Sequence, residues 1–411
     1  MGGVSEALGE YAIAIGYDAL ANQTRSFAAG AQSKATADGA IALSAFAIAS
    51  GSDAISAGFG SLASGNHSIA LGTNTTATAI DSFATGHRAN ASAGSAFAIG
   101  TNSTASGTNT IALGTQALAN QSDAYAFGVS SLASATNATA IGTQAKATGA
   151  NSFAVGQKAS AVNTNALAFG VNSTSSGESS TAIGTDADSS GELSVALGYS
   201  ATAKAINAMA AGSSALAYGK DSLAIGTQAF AAKERTTAIG TLANASASDG
   251  VAIGYQSCAI APNAYAAGVQ AKASAANAIA WGAQARAIDV NATAIGSLAL
   301  ANGANSIAMG VTSQASGTNT FAIGTNTHAT GIGAMSFGVD SQANGFNAIS
   351  IGINAISIGN NAMAVGVGSR ACGNNAFAFG VGCVAEGDNA SEFGVCLSLI
   401  HISEPTRHES I

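Results

Sequence analysis

One constraint dominates: a fourteen-residue unit recurs along nearly the whole chain without an insertion or deletion. Taking Gly72 as an anchor and stepping by fourteen from Gly16 to Gly394 gives 28 positions, all glycine except Ser44. A fixed period of this kind has to be read before any local motif, because it makes each unit one copy of a structural element that stacks on its neighbours. It also removes the usual inference from length to domain number.

Two residues before the anchor stands Ala in 24 of the 28 copies, the exceptions being Ser56, Ser336, Ser350 and Glu392. The flanking positions, three and one before it, carry large apolar residues, as in Ile69/Leu71, Phe97/Ile99, Ile111/Leu113, Phe153/Val155, Ile307/Met309 and Phe377/Phe379. This alternation has the period of a short strand that puts large side chains on one face and small ones on the other. The large pairs are therefore the expected core, with Gly72, Gly100, Gly114, Gly156, Gly310 and Gly380 as representative anchors. A second run of small residues follows, with Ala usual five after the anchor and Gly frequent seven after it.

A helix is the competing reading, since alanine is the best helix former. It fails on the glycines, at about 1 kcal/mol each in a helix interior, and on the many β-branched, Asn and Ser residues. A heptad coil would also need apolar positions in both halves of the repeat, and only one half has them. Two strands and two turns per fourteen residues fit alternation, turn residues and period together. Coils stacked at the strand spacing of about 4.8 Å would form a rod on the order of 130 Å long.

Within the large pairs a shrinkage at one position accompanies bulk at the other, as in Phe27 with Ala29 and Thr139 with Ile141. Volume balancing in a narrow core is the expected cause, and Trp281, one before Gly282, is expected to share that core. Two large side chains per coil are a thin core for fourteen ordered residues. Association with other copies through the alanine-lined face is the expected remedy.

The units NHSIALG (66–72), TNTIALG (108–114), NSFAVG (151–156) and NSIAMG (305–310) resemble the head repeats of YadA-like trimeric autotransporter adhesins, and the resemblance covers about residues 1–396. It implies an all-β fold, a left-handed parallel β-roll with one coil per 14 residues, assembled as a homotrimer. It further implies a non-enzymatic bacterial surface adhesin head giving multivalent attachment to host matrix or environmental surfaces. Such adhesins continue into a neck, a coiled-coil stalk and a C-terminal membrane barrel and begin with a secretion signal. The chain shows none of these, so the expectation is a head fragment, anchored in the outer membrane through a missing C-terminal region and making no membrane contact of its own.

The repeats are least regular up to about residue 64, and AISIGINAISIG (348–359) places two similar phrases seven apart without disturbing the anchor count. After Val395 the pattern stops. Residues 397–411 form an off-pattern tail that resembles translated sequencing-adapter DNA, so no function attaches to His401 or His408.

The chain carries 13 basic and 21 acidic residues, for a formal net charge of −8. Its lysines occupy different repeat offsets and suggest no continuous basic stripe, which argues against nucleic acid. Cys258, Cys372, Cys383 and Cys396 lack the short converging spacings of a zinc site. His67, His87 and His328 lie far apart without nucleophile or carboxylate partners in a catalytic pattern, so neither catalytic residues nor a metal or cofactor are expected. A bacteriophage tail-fibre or structural spacer module is an alternative reading. An ice-binding solenoid is a further one, weakened because the threonines one after the anchor (Thr73, Thr101, Thr115) are interrupted by Gln157, Tyr199 and Ala283.

Overall fold

The computed structural model describes residues 4–395, and these contain 56 short strands. The chain divides into two compact units, 1–228 and 229–411. Within the described residues the first holds 16 coils and the second 12, each coil consisting of one three-residue and one two-residue strand. The expected parallel β-solenoid with one coil per 14 residues is thus present in each unit.

The coil anchored at Gly72 shows how the repeat is built. Ile69–Leu71 form the long strand, Gly72 to Thr75 turn the chain, and Thr76–Ala77 form the short strand. A second turn, Ala79 to Ser82, leads into the long strand Phe83–Thr85 of the next coil. The second turn is closed by the Ser82 N–H donating to the Ala79 carbonyl at 3.3 Å, and the Ser82 hydroxyl donates to the same oxygen at 2.7 Å. Seven residues therefore make half a coil, so the paired phrases in 348–359 repeat the half-coil.

Each turn places its third residue at positive φ, for example His67 at 56°, Asn74 at 54° and Asp81 at 57°. Asn, Asp and Gly tolerate this left-handed conformation better than other residues, which accounts for their recurrence every seven positions. Like strands stack in parallel, each residue over its equivalent fourteen later: Ile69 pairs with Phe83 and Thr76 with Asn90. Within each unit the long strands form one sheet and the short strands the other.

The interior is lined by small residues. Ser68, Ala70, Thr75 and Ala77 point inward and are fully buried, and the same four offsets supply alanine, serine or threonine in nearly every coil. The alternation is as expected but its sense is reversed. Ile69, Leu71, Ile99, Ile111, Val155, Ile307 and Phe377 are only partly buried, while Phe97, Leu113, Phe153, Met309 and Phe379 are exposed. Trp281, expected in the core, is 58% exposed.

The physical reason is the size of the coil. Fourteen residues spent on two short strands and two tight turns enclose little space, and the side chains buried inside are small ones, chiefly alanine, serine and threonine. The alternating pattern specifies two faces without saying which is inner; closure of a fourteen-residue coil decides it. The alanines are consequently unavailable for association with another copy, and the compensation between Phe27 and Ala29 operates on the outer surface.

Many buried hydroxyls are served by the turns that carry them, although those of Ser68, Ser152, Ser222, Ser306 and Ser350 have no hydrogen-bond partner. Ser33 donates to the Gly30 carbonyl at 2.9 Å and Thr110 to that of Gly107 at 2.6 Å. A side chain that satisfies itself three residues back adds little polarity to a core otherwise made of methyl groups.

The anchor itself requires glycine for two separate reasons. Gly72 has φ 123°, and a Cβ there would lie 2.8 Å from the Gly86 carbonyl oxygen of the next coil. Ser44 occupies the equivalent place at φ 102°, a conformation strained for an L-residue.

Candidate attachment surface

With the interior filled by small groups, the outer faces carry all the bulky and charged side chains. The long-strand sheet presents two apolar ridges, three and one before each anchor. Aromatic rings meet along them: Phe83 lies 5.9 Å from Phe97, Tyr265 lies 6.2 Å from Trp281, and Phe377 lies 5.4 Å from Phe393, centroid to centroid. Leu113 is 41% and Phe379 50% exposed in a single chain. Monomeric soluble proteins rarely leave so regular an apolar surface open to water.

The turns form two polar rims. On one, Asn263, Asn277, Asn291, Asn305 and Asn319 stack fourteen residues apart, each side-chain amide donating to the next oxygen at 2.8–3.1 Å. On the other, Gln284 donates to Gln270 and Gln270 to Gln256, at 3.1 and 2.9 Å. Such ladders link successive coils outside the backbone sheet and hold the left-handed turn residues in one rotamer.

Charges of both signs lie on each rim: Arg25 and Arg235 stand five before an anchor beside the aspartates there, and Asp18, Asp186 and Asp340 stand two after one. Asp53, Asp81, Asp123, Asp221 and Asp249 stand five before an anchor, and Glu178, Glu192 and Glu234 stand six before one. Around the opposite turn Arg88 and Lys158 stand two after an anchor, and Lys34, Lys146, Lys272, Arg286 and Arg370 four after. Read as offsets, the basic residues look scattered. The turn brings the second and fourth positions onto the same edge, which a one-dimensional count of offsets does not show. Two clefts lie there in equivalent places: one of about 510 Å³ lined by Ser130, Gln144, Lys146, Lys158 and Ser160, another of about 360 Å³ lined by Asp18, Gln32, Lys34, Phe46 and Ile48.

The titratable groups singled out in the sequence are dispersed. His67 Nδ1 lies 3.2 Å from Asp81 Oδ1 on the exposed rim, while His87 and His328 lie on other coils. Cys258 and Cys372 are free thiols; Cys383 replaces an interior Ser or Ala and donates to the Gly394 carbonyl at 2.9 Å. Burial pushes the Cys258 thiol above its ordinary value and does the same to the Asp188 carboxyl, the latter partly offset by Lys204. The hydrogen bond from Arg235 holds Asp249 below the usual carboxylate range. No group of three or more His, Cys, Asp and Glu converges on a metal-sized space among the described residues, and none of their helices is long and apolar enough to cross a membrane. Cys396, His401, His408 and the 397–411 tail lie outside the described residues. The threonines one after the anchor sit in turns, not on a flat strand face, which further weakens the ice-binding reading.

Small-residue coils with all their chemistry on the outer faces define a parallel β-solenoid repeat protein whose working parts are surfaces. The family model of the YadA head domain repeat matches residues 7–43, 49–75, 77–103, 105–159, 161–187, 189–257, 259–285, 301–327, 329–355 and 357–382, and the chain belongs to that family. Among solved structures it is similar to the collagen-binding domain of the Yersinia adhesin YadA, at 26% identity over 36% of this chain and 67% of that one, with a TM-score of 0.24. No curated protein matches the chain.

Proposed function

We propose that residues 1–396 act as one adhesin head, displayed at a bacterial surface as a homotrimer and attaching to matrix or environmental surfaces without covalent chemistry. Membership of the YadA head family supports the adhesive role. The observation that carries the assembly is the apolar long-strand face, whose leucines, isoleucines and aromatics stay partly or largely exposed in one chain.

Three such faces turned toward a common axis would form the hydrophobic core that a single coil is too small to contain. Folding and assembly are then coupled. The turn rims and the short-strand face remain outward, repeated coil after coil, so that individually weak contacts act together where the geometry lets several engage at once.

The test is display of the chain on cells through a neutral trimeric anchor, compared with display of the anchor alone. Greater retention on matrix-coated or abiotic surfaces supports the reading. Equal retention on every surface overturns it in favour of a passive spacer.

A further inference from the structure

We infer that the cleft beside Phe46, in the first unit, binds a hexose unit of a neutral glycan. As a ligand for an adhesin this rests on the attachment reading, but the cleft stands on its own residues.

The cleft, of about 360 Å³, is lined by Asp18, Gln32, Lys34, Phe46 and Ile48. Asp18, Gln32 and Phe46 hold the third position of the same turn in three successive coils, so at about 4.8 Å per step they span roughly 10 Å along the stacking direction. Phe46 is the only aromatic residue at this offset from Asp18 to Gly382. It is held at φ 60°, a conformation that disfavours bulky side chains, and it is exposed. The turn itself does not need a ring, since Asn74, Gln116, Asp186 and Gly368 serve it in other coils. Phe59, from the following coil, meets the Phe46 ring edge to face at 5.3 Å between centroids, and Gly60, next in the column, brings no side chain against it. The ring is thus propped from the following coil and borders the cleft with Gln32 and Asp18 of the two preceding ones. A strained, propped and exposed group of this kind is a mark of a functional position.

The polar groups of the cleft are uncommitted. Elsewhere in the same column Asn172 donates to Asp186 at 3.2 Å, Asn326 to Asp340 at 2.7 Å and Gln270 to Gln256 at 2.9 Å. Among the described residues the side chains of Asp18, Gln32 and Lys34 make no hydrogen bond or ion pair. They offer a carboxylate that accepts, an amide that donates and accepts, and an ammonium that donates. One negative and one positive charge leave the cleft without net charge, which disfavours an ionic ligand of either sign. A wholly apolar ligand would bury both charges without partners. A pyranose ring suits both halves: its C–H face covers Phe46 and Ile48, and its hydroxyls reach Gln32, Asp18 and Lys34. Lys34 and Ile48 project from short strands, so association through the long-strand face leaves the cleft open.

The experiment measures binding of the purified full chain to an immobilised panel of neutral oligosaccharides of glucose, galactose, mannose and N-acetylglucosamine, with sialylated and sulfated members beside them. The unaltered chain is compared with Phe46→Asn, Phe46→Tyr, Asp18→Asn and Leu298→Asn. Asparagine suits the left-handed turn, so Phe46→Asn should raise the unfolding midpoint while binding to the preferred neutral glycan falls at least tenfold. Phe46→Tyr keeps the ring and should stay within a few-fold of the unaltered chain, and Asp18→Asn should lose several-fold. Leu298→Asn, a change to asparagine at the same turn position in the second unit, should bind as the unaltered chain does. No binding to any neutral member, unchanged binding in Phe46→Asn, equal loss in Phe46→Tyr or Leu298→Asn, or tighter binding to the anionic members would each overturn the site. So would a fall in both midpoint and binding for Phe46→Asn, which would assign the ring to the stability of its own turn. A chain that binds no glycan on cells that still adhere would remove the site and keep the attachment reading; a chain that binds on cells that fail to adhere would do the reverse.

Discussion

The Ser56 hydroxyl lies 2.7 Å from that of Ser61, buried inside the coil anchored at Gly58. Ser61 also reaches the Gly58 carbonyl at 2.8 Å, so Ser61 donates to the carbonyl and Ser56 donates to Ser61. Two of the three serines that replace the alanine before an anchor, Ser56 and Ser336, have such a partner five residues on, Ser336 meeting Ser341 at 2.7 Å. The third, Ser350, has Ala355 five residues on, and its hydroxyl is without a partner.

Removing Ser61 alone should be worse than removing both members of the pair. Ser61→Ala strands the Ser56 hydroxyl and should cost about 1–3 kcal/mol. Ser56→Ala should be nearly neutral, and Ser56→Ala/Ser61→Ala should recover most of the loss, since Ala42 and Ala47 fill the same places in the preceding coil. A double-mutant cycle in denaturant reads this coupling; simple additivity would contradict it.

Two local strains should be removable. Ser44→Gly relieves the φ of 102° and should stabilise by roughly 1 kcal/mol after the extra entropy of glycine is subtracted. Leu298→Asn replaces an exposed leucine at φ 60° with a residue suited to it and should gain several tenths of a kcal/mol. Unfolding midpoints measure both, and a fall in either would mean that the serine or leucine makes contacts outweighing its backbone strain.

The asparagine ladder can be separated from the turn it decorates. Asn291→Gly keeps the left-handed turn and loses the bonds from Asn277 and to Asn305; Asn291→Ala loses the bonds and strains the turn as well. Glycine should cost about 0.5–1.5 kcal/mol and alanine about 1 kcal/mol more. Hydrogen exchange of the flanking turn amides locates the loss, and equal cost for the two variants would show that the backbone conformation is not limiting.

Asp249 provides a pH test with a defined sign. Its carboxyl titrates below the ordinary value because Arg235 donates to it at 2.6 and 2.9 Å. Its contribution to stability is present above the unfolded-state value of about 3.9 and is lost as pH falls through the lower folded value. In Arg235→Gln the Asp249 titration, followed by carboxyl carbon shifts, should move up toward the ordinary value. An unmoved titration would show that the bond is not kept in solution.

Much of the fold was legible because one period fixes strand, turn and register together. What the alternation of Ile111, Ala112 and Leu113 could not disclose is which side closes on itself, since a strand with large and small faces reads alike from either. Hydrophobicity alone assigns the large face to the core. Coil circumference assigns it to the outside, and circumference becomes visible only once both turns are placed. The closeness of Lys146 to Lys158 in one cleft was missed for a related reason. Lys146 and Lys158 differ in repeat offset, and a turn makes them neighbours.

The same reversal changes what a substitution at Leu113 should do. Ala112 is fully buried, so Ala112→Leu should overpack the coil and destabilise it by about 1–3 kcal/mol or more. Leu113 is 41% exposed, so Leu113→Asp should leave the coil of a single chain formed and act on association. A chain whose spectrum collapses in Leu113→Asp but not in Ala112→Leu would restore the large side chains to the interior.

Sedimentation equilibrium of the full chain tests the central claim, that the exposed apolar face is covered by further copies. The account predicts a mass three times the 39.4 kDa of one chain, with dissociation promoted by aspartate at Leu113, Met309 and Phe379 together. A stable monomer with full β-sheet content at tens of micromolar, unchanged by those three substitutions, would contradict it.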